Sequence, residues 1–209
     1  ETEARIEELM RSPELDAQRA LGADIGSARR IDDAAGRYIV FLKNTFPRDF
    51  TMEGMKIVLD TANRATYKIA PDTFFELGAN VEVIHNTPNG LNINDHCGSQ
   101  HTQDLRKRVV EARADIGIAF DGDGDRLIAV DEKGQEISGD QVLIICAQTL
   151  KEKGKLKNAL LVSTVMSNLG LKVACKKYGI KHHASKVGDR YVLEDMVRLG
   201  AIIGGEEAG

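Results

Sequence analysis

Three times along this chain an apolar or aromatic residue followed by glycine separates a helix-like stretch from a short apolar run: Leu77-Gly78, Tyr178-Gly179 and Leu199-Gly200. Glycine enters the left-handed conformation after a helix without the penalty a Cβ imposes, so each pair predicts a helix end and a strand start. Around these pairs the pattern alternates. Strands are expected at Lys56–Asp60 and Val81–Ile84, bracketing a helical pattern that carries Tyr67, Ile69, Phe74 and Leu77. Thr102 stands where it could cap a helix running to Ala112, before strands at Asp115–Phe120 and Leu127–Val130 and a turn at residues 132–135. A second series has helices at 140–151, 167–178 and 189–199, with strands at 159–162, 180–184 and 201–203. Such alternation predicts an α/β chain with mixed or parallel sheets covered on both faces. Residues 3–46 read as helical, on apolar stripes of Ile6, Leu9 and Met10 and of Tyr38, Phe41 and Leu42, ending at Pro47. A boundary near Ile137 divides the rest into two α/β domains.

The balance of charge narrows what such a chain can bind. Across 209 residues, 28 Lys and Arg against 32 Asp and Glu leave a net charge of −4, with no broad basic field for nucleic acid or an anionic membrane. No apolar run approaches the ~20 residues that span a bilayer, and residues 1–11 are charged, unlike a signal peptide. A cytoplasmic protein without nucleic-acid or membrane partners is therefore expected. Cys97, Cys146 and Cys175 lie far apart with no CxxC, which predicts buried reduced thiols. The start at Glu1 without a Met, and the end at Gly209 inside a glycine and carboxylate cluster, lead us to expect a piece of a longer protein.

The chemistry concentrates in Asp121-Gly122-Asp123-Gly124-Asp125-Arg126, between the apolar runs Ile116–Phe120 and Leu127–Val130. Three carboxylates in five residues repel one another unless a cation sits among them. The interleaved glycines let the backbone fold so that the oxygens converge, and oxygen donors without His or Cys suit Mg²⁺ better than zinc. A solvated acidic turn is the plain alternative. A calcium EF-hand loop is another: Glu132 falls at position 12 from Asp121, but position 6 is Arg126 where glycine is required, and the flanks are β-like. Arg126, with a guanidinium fork that matches phosphoryl oxygens, is a candidate phosphate ligand, and metal plus arginine suggests phosphoryl transfer.

Lys186-Val187-Gly188-Asp189-Arg190 lies where a strand gives way to a helix, a place that favours an anion; the alternative is an ordinary helix start capped by Asp189. Glu206 and Glu207 sit on a glycine loop that could accept hydrogen bonds from sugar hydroxyls or be a solvated turn. His96, Cys97 and His101 form a weak zinc signal without a fourth ligand, and His182 and His183 point to opposite strand faces. Arg29-Arg30 and Lys107-Arg108 read as solvated helix faces.

Together ARRIDDAAGRYIVFLKNTFP, KIVLDTANRATY, PNGLNINDHCGSQH, DGDGDR, KVGDRYVLEDM and GEEAG resemble the α-D-phosphohexomutase superfamily, with the third and fifth segments pointing to its phosphoglucosamine branch. The resemblance implies two consecutive mixed-sheet α/β domains, metal-binding at 47–136 and sugar-binding but truncated at 137–209, preceded by the helical end of a first, phosphoserine domain at 1–46. It further implies that Asp121, Asp123 and Asp125 hold Mg²⁺, that Arg126, Lys186, Gly188, Asp189, Arg190 and Glu206 bind the phosphosugar, and that the serine nucleophile lies outside the chain. The implied reaction interconverts glucosamine 6-phosphate and glucosamine 1-phosphate through a bisphosphate. Alternatives are a phosphomannomutase or phosphoglucomutase of the same superfamily, or a non-catalytic cation-binding α/β module. The chain departs from the family pattern at Arg64, where Gly is usual, and at Ala208, where Ser is usual.

Overall fold

The structure is a computed structural model that describes residues 2–17 and 19–207. It divides into two compact units, Glu1–Ala34 and Ala35–Gly209. In the first, α1 (Thr2–Met10) and α2 (Glu14–Ala17) are followed by a single 3₁₀ turn at Gly22–Asp24. The described residues from 25 to 31 have no regular structure, so the helical reading of 3–46 holds at the two apolar stripes and is corrected between them. Gly22, with φ +58°, and Gly26 interrupt any helix there. Ile6 and Met10 are exposed, and none of the described residues of α1 is buried. Arg29 and Arg30 accordingly lie on irregular chain rather than on a helix face.

In the second unit, α3 (Ala34–Lys43) precedes a five-stranded sheet ordered β2-β1-β3-β4-β5, built from β1 (Lys56–Asp60), β2 (Asn80–Ile84), β3 (Ile116–Phe120), β4 (Leu127–Asp131) and β5 (Glu136–Ile137). β1 pairs in parallel with β2 and with β3, and the rest of the sheet is antiparallel. Helices α4 (Ile69–Glu76) and α5 (Gln103–Ala112) make the two crossovers. β1 is buried on both faces, which explains its uninterrupted apolar run. Ile57 and Leu59 join Ala70 and Ala79 on one side, while Val58 joins Leu105, Val109, Ala119 and Val130 on the other. α5 presses directly on the backbone of β3, because a Cβ on Gly117 would lie 2.5 Å from Val109 Cγ2 and 3.0 Å from Leu105 Cδ1. Thr102 precedes α5 but makes no side-chain cap; its hydroxyl donates to Glu136 instead. Arg108 on this helix is paired with Glu82 and Glu111.

The remainder forms a smaller layer of α6 (Gly139–Glu152), α7 (Leu169–Lys177) and α8 (Asp189–Leu199) around the parallel pair β6 (Leu160–Thr164) and β7 (Lys181–Ser185). Leu143, Ala147, Leu161, Leu171, Cys175 and Ile180 make its core. Ser138 opens α6 with a reciprocal capping box with Gln141, a signature the sequence reading passed over. The strand expected at 201–203 is reduced to a single parallel bridge between Val162 and Gly204. The three glycine stops stand where expected, with φ of +98° at Gly78, +61° at Gly179 and +66° at Gly200. Cys97 and Cys175 are buried, but Cys146 faces out from α6 and corrects the expectation of three buried thiols. Among the described residues no helix is long and apolar enough to cross a membrane.

Two measurements check this packing. Gly117→Ala should overpack the α5–β3 contact and destabilise the fold by about 1–3 kcal/mol, read as a lower urea midpoint. The Asp195 carboxyl on α8 is held down to about 2, first by the Arg198 side chain and then by His183. A carboxyl depressed from its ordinary 3.8 stabilises the fold above that pH, and the contribution disappears as pH falls through about 2. Asp195→Asn should therefore lower the melting temperature at neutral pH and narrow the difference from the parent chain as acid is added through that window.

Candidate functional site

β3 and β4 pair antiparallel with Phe120 opposite Leu127, so the six residues Asp121–Arg126 are the whole connection between them. The loop is templated from within. Asp121 Oδ1 accepts the backbone N–H groups of Gly124 at 3.1 Å and Arg126 at 3.0 Å, and the Asp121 N–H donates to the Arg126 carbonyl at 3.3 Å. Gly124 has φ +77°, and a Cβ on Gly122 would lie 2.6 Å from Ile93 Cδ1, so both glycines are needed for this path. The result is convergence: Asp121, Asp123 and Asp125 each offer an oxygen, all within 4.8 Å of one another. Their titration bears the mark of the crowding. Partial burial and then the charges of Asp123 and Asp121 push the Asp125 carboxyl up. Burial pushes Asp121 up as well, but the Arg126 N–H and the neighbouring side-chain hydrogen bonds outweigh it and leave its carboxyl below the usual value. Three converged carboxylates without nitrogen or sulfur donors fit a hard divalent cation such as Mg²⁺.

Neighbouring segments brace this hairpin. The Ser99 N–H donates to the Phe120 carbonyl at 3.0 Å and the Ala65 N–H to the Gly122 carbonyl at 3.2 Å. Both segments are tied to Asp60, which ends β1 fully buried; its carboxylate accepts from the N–H groups of Ala62 at 2.9 Å and Gly98 at 2.9 Å and meets His85 Nδ1 at 3.0 Å. Cys97 completes a cluster with Asp60 and His85 whose ligand atoms also lie within 4.8 Å of one another. Burial, then the Asp60 charge, pushes the Cys97 thiol up to about 11. The sequence had grouped Cys97 with His96 and His101 instead. Those two rings lie 5.8 Å apart on the exposed side, while Cys97 turns inward. The available signal for the inner cluster was a carboxylate closing an otherwise apolar strand. Arg64 occupies this turn without requiring positive φ; Ala62 and Asn63 take the left-handed positions, with φ of 51° and 52°.

A cavity of about 920 Å³ opens beside the hairpin, and Asp125, Arg126, Gly188, Asp189, Gly205 and Glu206 are among the residues lining it. Four of the expected substrate residues are thus brought to one space beside one metal-ligand candidate. Glu206 Oε1 accepts the Gly188 N–H at 2.7 Å, joining the two loops, and Glu207 Oε2 accepts the Asp140 N–H at the start of α6 at 2.8 Å. Gly188, with φ +124°, holds the cap position of α8; Asp189 lies inside the helix and makes no cap, against the alternative reading of that segment. Lys186 and Arg190 are not among the lining residues. The Lys186 ammonium lies 5.6 Å from the Tyr191 ring centre, and Arg190 Nε is 3.2 Å from Glu194. Asp123 faces a second groove of about 570 Å³ lined by Phe46, Phe74 and Leu127 among others. His182 and His183 have separate partners, Ser163 and Asp195. Ala208 lies outside the described residues.

Comparison with known proteins agrees with this architecture. Residues 36–134 match the family profile of phosphoglucomutase/phosphomannomutase alpha/beta/alpha domain II, and residues 138–209 match that of domain III. A phosphoglucosamine mutase of Syntrophobacter fumaroxidans is 75% identical over 185 residues, covering 88% of this chain and 41% of the relative. One of Syntrophus aciditrophicus is 54% identical over 209 residues, the whole of this chain and 46% of the relative. The chain thus spans less than half the length of these curated relatives. A crystal structure of a phosphoglucomutase/phosphomannomutase family protein from Burkholderia thailandensis superposes with a TM-score of 0.77 at 26% identity, over 99% of this chain and 44% of that one. With two consecutive domain profiles matched in order and the acidic hairpin and the cavity in place, the chain belongs to the phosphoglucomutase/phosphomannomutase family.

Proposed function

We propose that this chain is an internal portion of a phosphoglucosamine mutase, which interconverts glucosamine 6-phosphate and glucosamine 1-phosphate by way of a phosphoserine and a sugar bisphosphate. The observation that carries this reading is the 75% identity to a phosphoglucosamine mutase, joined to a cavity shared by Arg126, Gly188 and Glu206. In this reading residues 47–136 are the metal-binding domain and 137–209 the sugar-binding domain. Cytoplasmic action suits the free thiols of Cys97 and Cys175.

Asp121, Asp123 and Asp125 would hold Mg²⁺, which supplies Lewis-acid neutralisation of charge on phosphoryl oxygens. The chain's own groups do the binding and orientation. The Arg126 guanidinium, half-exposed at the cavity wall, offers a planar fork to a phosphate. Glu206 spends one acceptor position on the Gly188 N–H, and its remaining lone pairs face substrate hydroxyls. The Gly188 tether fixes the carboxylate so that hydroxyl position, rather than side-chain motion, decides which sugar bonds well. Asp189 and Arg190, in the first turn of α8, with Lys186 just before it, would orient the phosphosugar once it is bound.

Three outcomes test the reading. In the chain itself, calorimetric Mg²⁺ binding should disappear in Asp123→Ala, because one of three converged ligands is lost; unchanged binding would remove the metal role. In the full-length enzyme, Glu206→Gln should lower catalytic efficiency on glucosamine 1-phosphate at least tenfold, since a hydrogen bond to a charged group contributes about 1.5–3 kcal/mol. The same assay on glucose and mannose 1-phosphates separates the mutases of this family, and an unchanged ranking would move sugar reading elsewhere. Arg126→Lys should impair turnover on every sugar phosphate alike, because an ammonium cannot reproduce the fork.

A further inference from the structure

The cluster of Asp60, His85 and Cys97 that supports the hairpin is chemically unlike the acidic loop. Asp60, His85 and Cys97 present an oxygen, an imidazole nitrogen and a sulfur within 4.8 Å of one another, a borderline-soft donor set of the kind zinc prefers. Asp60 and Cys97 are fully buried, while the His85 side chain is 24% exposed and leaves an approach from solvent. They come from three separate segments, the end of β1, the residue after β2 and the loop before α5.

Two outer contacts have the form of groups that steer ligands. His85 Nε2 lies 3.3 Å from the Asp104 carboxylate on α5, the carboxylate–imidazole pairing that leaves the other ring nitrogen directed at a metal. The Asn63 side-chain amide donates to Cys97 Sγ at 3.7 Å, and its orientation is fixed because the Thr87 N–H donates to Asn63 Oδ1 at 3.1 Å. An N–H aimed at sulfur stabilises a thiolate bound to a cation. Asp60 already accepts two backbone N–H groups, yet a carboxylate has about four lone-pair sites, so one remains for a metal when His85 Nδ1 turns from Asp60 to the ion.

We infer that Asp60, His85 and Cys97 form a second cation site, selective for a zinc-like divalent ion, with water as the fourth ligand on the exposed side and Asp104 and Asn63 as its supporting shell. Sulfur ligation releases the thiol proton to solvent. Occupancy ties the loop 85–98 to β1 and, through the Ser99–Phe120 bond, stiffens the base of the acidic hairpin without sharing a ligand with it.

The test is Zn²⁺ titrated into the 209-residue chain in competition with a chromophoric chelator, using the parent chain and the variants Asp123→Ala, Cys97→Ser and Asp104→Ala. One tight zinc per chain is expected, retained in Asp123→Ala, at least tenfold weaker in Cys97→Ser and about 10–100-fold weaker in Asp104→Ala. Co²⁺ in place of Zn²⁺ should give a thiolate-to-cobalt charge-transfer band that Cys97→Ser lacks. Should Cys97→Ser fail to fold by circular dichroism, the exposed Asp104→Ala variant and the cobalt band of the parent chain decide. Absence of tight zinc binding, an affinity unmoved by Asp104→Ala with no cobalt–thiolate band, or loss of zinc in Asp123→Ala would overturn the inference and leave the cluster as a hydrogen-bonded anchor.

Discussion

A single buried carboxylate organises the larger layer. Asp60 stands at the end of the central strand β1, out of reach of solvent, and its charge is met by two backbone N–H groups and an imidazole from three different segments. A buried ionised group is tolerated only where such partners surround it, so the turn at 61–63, the end of β2 and the Cys97-Gly98 segment are obliged to meet there. The backbone yields to that demand: Ala62, Asn63, His85, Asn94 and His96 all adopt positive φ, an unusual density for residues other than glycine. Those strained segments carry the Ala65 and Ser99 N–H groups that hold the acidic hairpin. The position of the three aspartates thus depends on a fourth aspartate that belongs to a separate cluster.

The smaller layer closes on itself through backbone rather than through long side chains. Gly139 approaches the Glu206 carbonyl so closely that a Cβ would lie 2.5 Å from it, and Gly204 lies similarly against the Val162 carbonyl, at 2.9 Å. Close approaches of this sort set the position of the Glu206 loop to within fractions of an ångström, the tolerance that the proposed reading of substrate hydroxyls would require. The cavity wall near Glu206 is therefore defined by glycine contacts and one N–H···O bond, and Arg126 enters it from the opposite layer.

What the sequence made legible followed from local chemistry. β1, α8 and the glycine stops were readable because β-branched runs, 3.6-residue periodicity and left-handed glycines act over a few residues. The DGDGDR loop was readable as a turn for the same reason, since its interleaved glycines lie between two apolar runs, and its carboxylates converge as that spacing predicts. The failures have a common physical origin in longer range. Thr102 has the right chemistry for a cap, yet the Glu136 carboxylate competes for its hydroxyl from a distant strand. Cys97 was grouped with its neighbours His96 and His101, whereas tertiary packing turns it toward Asp60 and His85. The strand expected at 201–203 has suitable residues, but only Gly204 makes a ladder bridge, with Val162. The two apolar stripes of residues 3–46 do form helices, α1 and α3; the reading overran between them, where no stripe continues and Gly22, with φ +58°, and Gly26 stand.

The connectivity of the sheet also separates its pairings by range. β3, β4 and β5 form a meander closed by short turns, while β1 meets β3 with Ile57 opposite Ile116, across two helices, a strand and a long loop. Loop-closure entropy favours the meander as the earlier structure and the parallel pairing as the later one. On that ordering the acidic hairpin belongs to the early part, and its carboxylates would be drawn together before β1 and Asp60 are there to brace them. A divalent cation that bound the local hairpin at that stage would raise its population by mass action. If the loop takes a metal as proposed, metal supply during synthesis would act on the yield of folded chains as well as on the finished site.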